Sequence, residues 1–140
     1  MRKVLVLGFV SAGLLAACSD PSAGLKIEPP KGSNADDAIL LGTLELPNSG
    51  FQSWGGNLTV SDGEIECIGI EESKKVDTGW AVIRFQPTLK LTCNDGRTGS
   101  VSVNLSGSSR ENMSGVGVGK LSDGSKIRMV VGDAVGTLSW

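Results

Sequence analysis

The stretch that decides the fold runs from residue 88 to residue 105 and reads TLKLTCNDGRTGSVSVNL. Apolar and polar residues alternate on both sides of its centre, with Leu89, Leu91 and Cys93 before the centre and Val101, Val103 and Leu105 after it. At the centre, Asp95-Gly96 supplies the positive φ that the corner of a two-residue hairpin requires. Alternation with a period of two in such short runs predicts antiparallel strands with one buried face.

The same turn signal occurs twice more, as SDGE at residues 61–64 and SDGS at residues 122–125, so the three copies are about 30 residues apart. Further strands are expected at residues 40–46, 56–60, 65–70, 80–85, 115–121, 127–131 and 135–140, and an exposed hairpin loop is expected at residues 71–75. These elements predict an all-β fold, a small antiparallel β-barrel or sandwich of about eight or nine short strands built from hairpins.

The first eighteen residues have the organisation of an export signal. A positive start, Met1-Arg2-Lys3, precedes an apolar run at residues 4–15, and Leu15-Ala16-Ala17-Cys18 follows. The apolar run is too short for a transmembrane helix, which needs roughly 20 residues. Residues 1–17 are therefore interpreted as a signal peptide.

The sequence LAAC at residues 15–18 resembles the lipobox of bacterial lipoproteins, and the resemblance covers residues 1–18. It implies cleavage before Cys18 and attachment of acyl chains such as palmitate to that cysteine. Each buried methylene contributes about 0.8 kcal/mol, so two or three chains anchor a protein to a membrane. Ser19, rather than Asp, follows the cysteine, and in this family that favours the outer membrane of the cell envelope. The alternative is an ordinary secretory signal with a chance cysteine.

Residues 19–38 are dominated by Pro, Gly, Ser and charged side chains. We expect residues 18–38 to be a lipidated flexible tether, with a reach on the order of 25 Å. The β domain is then expected at residues 39–140. With Cys18 acylated, Cys67 and Cys93 remain, and in an oxidising compartment they are expected to form a structural disulfide that stabilises the domain by roughly 3 kcal/mol.

The composition argues against several classes of function. The chain has no His, which excludes a Ser-His-Asp or Cys-His catalytic site. Residues 18–140 carry 11 basic and 15 acidic side chains, a net charge of −4, because residues 1–17 contain only Arg2 and Lys3 of the chain's 13 basic residues. A mildly acidic domain is a poor nucleic-acid binder. No enzyme activity, cofactor or metal site is expected.

Two further features carry open alternatives. GVGVGK at residues 115–120 departs from a phosphate loop at Ser114 and Leu121. Its alternating glycines are better explained as one bare strand face that a ring or a neighbouring backbone approaches. Trp80 is expected in the core. Trp54, beside Gly55 and Gly56, is a possible binding residue, with core packing as the alternative.

Two family resemblances bear on function. CNDGRTG at residues 93–99 with GVGKL at residues 117–121 is similar to small glycine-rich β lipoproteins of proteobacteria that have no assigned activity, over roughly residues 56–131. LTCNDG at residues 91–96 looks like part of the membrane-bound C-type lysozyme inhibitors, whose Tyr-containing motif this chain, without Tyr, lacks. We expect a lipid-anchored envelope protein, a binding or structural module for an unidentified envelope protein. The alternative is an inhibitor of a periplasmic hydrolase such as lysozyme.

Overall fold

The computed structural model describes residues 20–45, 57–109 and 112–137. In this part of the chain, eight antiparallel strands follow one another around a closed barrel. They are β1 (Ser22–Glu28), β2 (Ala38–Glu45), β3 (Asn57–Ser61), β4 (Glu66–Thr78), β5 (Ile83–Cys93), β6 (Thr98–Gly107), β7 (Ser114–Leu121) and β8 (Lys126–Val131). The predicted all-β fold is confirmed, and the barrel is the correct one of the two predicted architectures.

Strand β1 closes the barrel by pairing with β2 on one side and with β8 on the other. The prediction of a flexible tether over residues 18–38 is therefore wrong for Ser22–Glu28. Ala23, Leu25 and Ile27 point inward and are at most 1% exposed. Burial of this alternating apolar face, together with the two ladders of hydrogen bonds, outweighs the proline and charged residues that flank it.

The interior of the barrel is filled by apolar side chains from every strand. They include Leu40, Leu44, Leu58, Val60, Phe85, Leu89, Leu91, Val101, Val103, Leu105, Leu121, Ile127 and Met129. The barrel of an eight-stranded sheet is just wide enough for side chains to fill it. The described residues thus form a packed core rather than a chamber for a ligand.

The predicted disulfide between Cys67 and Cys93 is present and lies inside the barrel. The two cysteines are direct cross-strand partners of β4 and β5, with Cα atoms 4.0 Å apart. Cys67 is 0% exposed and Cys93 is 4% exposed. Their burial among aliphatic side chains assigns them a structural role.

Glycines allow neighbouring strands to approach closely at the bends of the barrel. Gly115 and Gly119 of β7 face inward, and a Cβ on either would collide with a backbone carbonyl oxygen of β6, at Asn104 and Ser100 respectively. The interpretation of residues 115–120 as a bare strand face approached by a backbone is confirmed. Such glycine positions let a strongly curved sheet close.

We expect Gly119→Ala to lower the free energy of unfolding by about 2–3 kcal/mol, because the new methyl group would push β7 away from β6. The matched control is Gly136→Ala, since a Cβ there would meet nothing within 4 Å. The control should change stability by less than about 0.5 kcal/mol. Urea unfolding followed by circular dichroism measures both, and equal effects would show that β6 and β7 have room for a side chain.

The β4–β5 hairpin is longer than predicted. The expected loop at residues 71–75 is wrong, because β4 continues to Thr78 with one irregularity between Glu71 and Ser73. The turn lies instead at residues 79–82, where the Gly79 amide donates to the Val82 carbonyl at 2.9 Å. Pro87 is tolerated inside β5 because the ladder to β6 is interrupted at this point, so its missing N–H breaks no pair.

The three Asp-Gly turns lie at the predicted positions, and Gly63, Gly96 and Gly124 all have φ between 90° and 98°. Two of the turns are one residue longer than the predicted two-residue hairpin. The Cys93 amide donates to the Arg97 carbonyl, and the Leu121 amide donates to the Ser125 carbonyl. Each pair encloses three residues, a loop that places its glycine in the left-handed conformation at the last position.

The prediction of a strand at residues 135–140 is wrong for residues 135–137, the part of it that the structure describes. Gly132, at φ 88°, turns the chain out of β8 into a 3-10 helix, Gly132–Thr137. Because β1 and β8 already pair with each other, this part of the barrel has no free edge for a ninth strand. Residues 138–140 lie outside the described residues.

Candidate functional site

The up-and-down topology gives the barrel two chemically different rims. The turn rim carries the connections at residues 29–37, 62–65, 94–97 and 122–125. The N-terminal rim carries the start of β1, the β4–β5 turn, the start of β7 and the 3-10 helix. With the interior filled, the two rims and the outer wall are the surfaces that the described residues offer to a partner.

The turn rim is held rigid by side chains that link separate turns. The Arg97 guanidinium lies 2.7 Å from Asp95 in its own turn and 3.2 Å from Asp123 in the β7–β8 turn. The Asn94 side chain bridges to the β3–β4 turn, since its amide donates to the Glu64 carbonyl at 3.0 Å and its oxygen accepts from the Glu66 amide at 3.1 Å. Three consecutive hairpins are thereby joined into one surface.

Hydrogen bonds lower the pKa of the aspartate in each of the three Asp-Gly turns. The amides of Ile65 and Glu64 donate to the Asp62 carboxylate and lower its pKa. The hydrogen bond from Arg97 lowers the pKa of Asp95, and that from the Ser125 amide lowers the pKa of Asp123. Hydrogen bonds that favour the charged form keep the three carboxylates ionised to lower pH than an isolated aspartate.

The turn rim is also the acidic part of the barrel. Its four connections carry six acidic residues, at positions 36, 37, 62, 64, 95 and 123, and two basic residues, at positions 31 and 97, for a net charge of −4. Lys26 of β1 forms an additional ion pair with Asp37 at 3.6 Å. The arrangement presents a rigid, anionic surface that complements a cationic partner.

We expect Arg97→Ala to destabilise the barrel by about 0.5–1 kcal/mol at pH 7, since the paired side chains are partly exposed to solvent. The two aspartates have lowered pKa values in the folded state, so their stabilisation is present above the ordinary pKa of about 3.9 and is lost as pH falls through the lowered values. The difference between Arg97→Ala and wild type should therefore shrink below about pH 4.

Thermal unfolding between pH 7 and pH 2.5 measures this difference. Arg97→Lys is the matched control, because it keeps the positive charge but loses the two-pronged contact with Asp95. The thermal stability of Arg97→Lys should lie between that of wild type and that of Arg97→Ala. A difference that stays constant down to pH 2.5 would show that Arg97 stabilises the rim by packing rather than by its ion pairs.

The outer wall carries two small apolar areas. Ile68 and Ile70 of β4 are 43% and 59% exposed, and Leu41 lies two strands away on β2. On the opposite side of the barrel, Val116 and Val118 of β7 are 56% and 66% exposed. Polar side chains surround both areas on the neighbouring strands.

The N-terminal rim combines a cleft with an exposed aromatic residue. The cleft, of about 470 Å³, lies between residues 20–22, residues 112–114 and the 3-10 helix. At the β4–β5 turn, Trp80 is completely exposed and Val82 is 45% exposed. The prediction that Trp80 lies in the core is wrong, because the hairpin is longer than expected and places this residue at its tip.

The structure describes two of the four predicted site residues. The Cys67–Cys93 disulfide is in the core, whereas Cys18 and Trp54 lie outside the described residues. The linked Asp95, Arg97 and Asp123 side chains were not predicted as a site. Their signal was the repeated Asp-Gly turn, which a meander of hairpins brings to one rim.

Within residues 20–45, 57–109 and 112–137, no three or more His, Cys, Asp or Glu side chains are grouped so as to hold a metal ion. The same part of the chain contains no helix of the length and apolarity needed to cross a membrane. No protein family, curated protein or solved structure matches the chain.

Proposed function

We propose that the chain is a lipoprotein of the bacterial cell envelope, anchored through acyl chains on Cys18, whose barrel serves as a binding or structural module without enzyme activity. The observation that carries the proposal is the LAAC sequence at residues 15–18 behind a short apolar signal. Ser19 favours the outer membrane within this proposal. The filled interior of the barrel supports a binding or structural module, because a partner then binds on the rims or the wall rather than in an interior pocket.

The test is Cys18→Ser in the full chain, produced in a Gram-negative host and followed by membrane fractionation and intact mass. Wild type should fractionate with membranes as a processed, acylated protein, and Cys18→Ser should lose the acyl mass and the membrane association. Ser19→Ala, next to the same site, is the matched control and should stay acylated. Wild-type protein without acyl mass on Cys18 would contradict lipid anchoring, and a Cys18→Ser protein that stays membrane-bound and uncleaved would show that the signal was misread.

The partner that the turn rim fits best is a cationic protein of the periplasm. A hydrolase inhibitor needs an exposed polar tip, and the turn rim presents several acidic tips that hydrogen bonds hold in place. Rigid, complementary charge speeds association and reduces the ordering cost of binding. This geometry favours inhibition of a periplasmic hydrolase such as lysozyme as the more specific form of the proposal.

A soluble barrel of residues 20–140 tests this form directly. It should bind a C-type lysozyme in a surface-based assay and slow its hydrolysis of cell walls. Asp36→Asn with Glu64→Gln should weaken binding, whereas Lys90→Gln, a neutralised charge on the wall of β5, should not. The proposed inhibition would be contradicted if the variant with Asp36→Asn and Glu64→Gln still bound lysozyme, or if the wild-type barrel did not bind it. Either result would favour the apolar wall as the binding surface and a structural partner.

A further inference from the structure

The start of β1 places the N-terminal rim close to the proposed lipid. Asp20 is two residues after Cys18, a separation of at most about 7 Å in a fully extended chain. The following residue is held to the barrel, because the Pro21 carbonyl accepts from the Leu44 amide at 3.1 Å. A lipid on Cys18 therefore brings this rim, and not the acidic turn rim, to the membrane surface.

The β4–β5 turn lies at the same rim. The strand register, followed from β4 round the barrel to β1, places Val76 level with Ala23. Beyond Val76, β4 continues to Thr78, and the turn at residues 79–82 forms the tip of the hairpin. A membrane that meets the rim also meets the tip of the hairpin.

The chemistry of the tip suits the boundary between water and lipid. Residues 78–83, TGWAVI, carry no charge. Trp80 is 102% exposed, so the tip presents its largest apolar side chain entirely to solvent. The Trp ring, with an apolar body and one N–H donor, is enriched at the headgroup level of membranes. Lys75, Asp77 and Arg84 are exposed behind the tip and together carry a net charge of +1, which anionic headgroups attract.

We propose that the β4–β5 tip inserts into the interface of the anchoring membrane, with Trp80 as the inserted side chain. The proposal rests on lipid anchoring at Cys18. It fixes the orientation of the barrel, with the N-terminal rim against the bilayer and the acidic turn rim facing the aqueous compartment, where a protein partner can reach it.

The test uses the processed, full-length lipoprotein in vesicles of phosphatidylethanolamine and phosphatidylglycerol, with or without bromine on the acyl chains. The chain has three Trp residues, so Trp54→Phe with Trp140→Phe leaves Trp80 as the single emitter. In vesicles, Trp80 emission should shift to shorter wavelength, and brominated lipid should reduce it by about half, as expected for a ring at the headgroup level. The matched control adds Trp80→Phe and Asn34→Trp to this double variant, so that its only Trp lies on the turn rim, and it should show no quenching.

The outcomes separate the two proposals. Protein that does not float with the vesicles overturns lipid anchoring and the insertion of Trp80 with it. Protein that floats while Trp80 stays unquenched overturns insertion alone, and a wavelength shift without quenching identifies a protein contact instead. If the double Phe variant does not fold, Trp80→Cys with an environment-sensitive dye in the otherwise native chain gives the same readout.

Discussion

A chain shortened to residues 38–140 should fail to form the barrel, whereas a chain of residues 20–140 should fold. The shorter chain retains β2–β8 intact and lacks only β1. A flexible tether could be removed without a change in the fold. The two truncations therefore distinguish a flexible tether from a strand of the barrel at Ser22–Glu28.

The expected effect is large because β1 contributes both to the core and to two ladders. Ala23, Leu25 and Ile27 are buried, and burial of a Leu or Ile side chain contributes about 1.5–3 kcal/mol. Loss of β1 also leaves unpaired the hydrogen-bonding edges of β2 and β8. Together, the lost apolar burial and the two lost ladders are comparable to the whole stability of a small domain, about 5–15 kcal/mol.

Amide exchange and near-ultraviolet circular dichroism measure the result. The chain of residues 20–140 should show slow exchange and a cooperative transition, and the chain of residues 38–140 should show neither. A peptide of residues 20–30 added to the shorter chain should restore part of the signal. Cooperative unfolding of the shorter chain alone would mean that β2 and β8 close the barrel without β1.

Reduction of the Cys67–Cys93 disulfide should lower the free energy of unfolding by about 3–4 kcal/mol, as the chain-entropy model gives for a loop of this length. The bond joins residues separated by 26 positions at the turn-rim end of the longest hairpin. Cys67→Ala with Cys93→Ala should have at least this effect, because it also removes two buried sulfur atoms from the core.

Thermal unfolding with and without dithiothreitol measures the contribution of the crosslink. The double Ala variant is the control for the reductant itself, and its transition should not respond to dithiothreitol. Cys67→Ser with Cys93→Ser should be less stable still, since two hydroxyl groups would be buried among aliphatic side chains. Equal stability of the reduced and oxidised wild type would show that the hairpin is held by its ladder and core alone.

The turns were predictable from sequence because the signal is local. Asp-Gly favours positive φ at Gly63, Gly96 and Gly124, and no distant contact is needed to place the corner. The disulfide was predictable for a different reason, since the chain has only two cysteines besides Cys18. The choice between barrel and sandwich required the β1–β8 pairing, which no local pattern contains.

The errors arose where tertiary contacts override local composition. The alternation in Ser22–Glu28 was present in the sequence, but Pro, Gly and charged neighbours concealed it. The prediction of Trp80 in the core follows from the expected alternating strand at residues 80–85, whereas β5 begins only at Ile83 and Trp80 lies in the turn before it. The linked side chains of Asp95, Arg97 and Asp123 depend on two hairpins meeting at one rim, which only the closed barrel reveals.

The pairing of Ala23 with Val131 has a consequence for the order of events during synthesis. The first and last strands of the barrel must meet before it closes, so a growing chain remains open until nearly all of it has been made. Long-range closure of this kind is slow compared with the formation of local hairpins. A chain that cannot complete its fold early stays unfolded for longer, which is the state that the proposed export across a membrane would require. The topology thus delays closure of the barrel until β8 has been made.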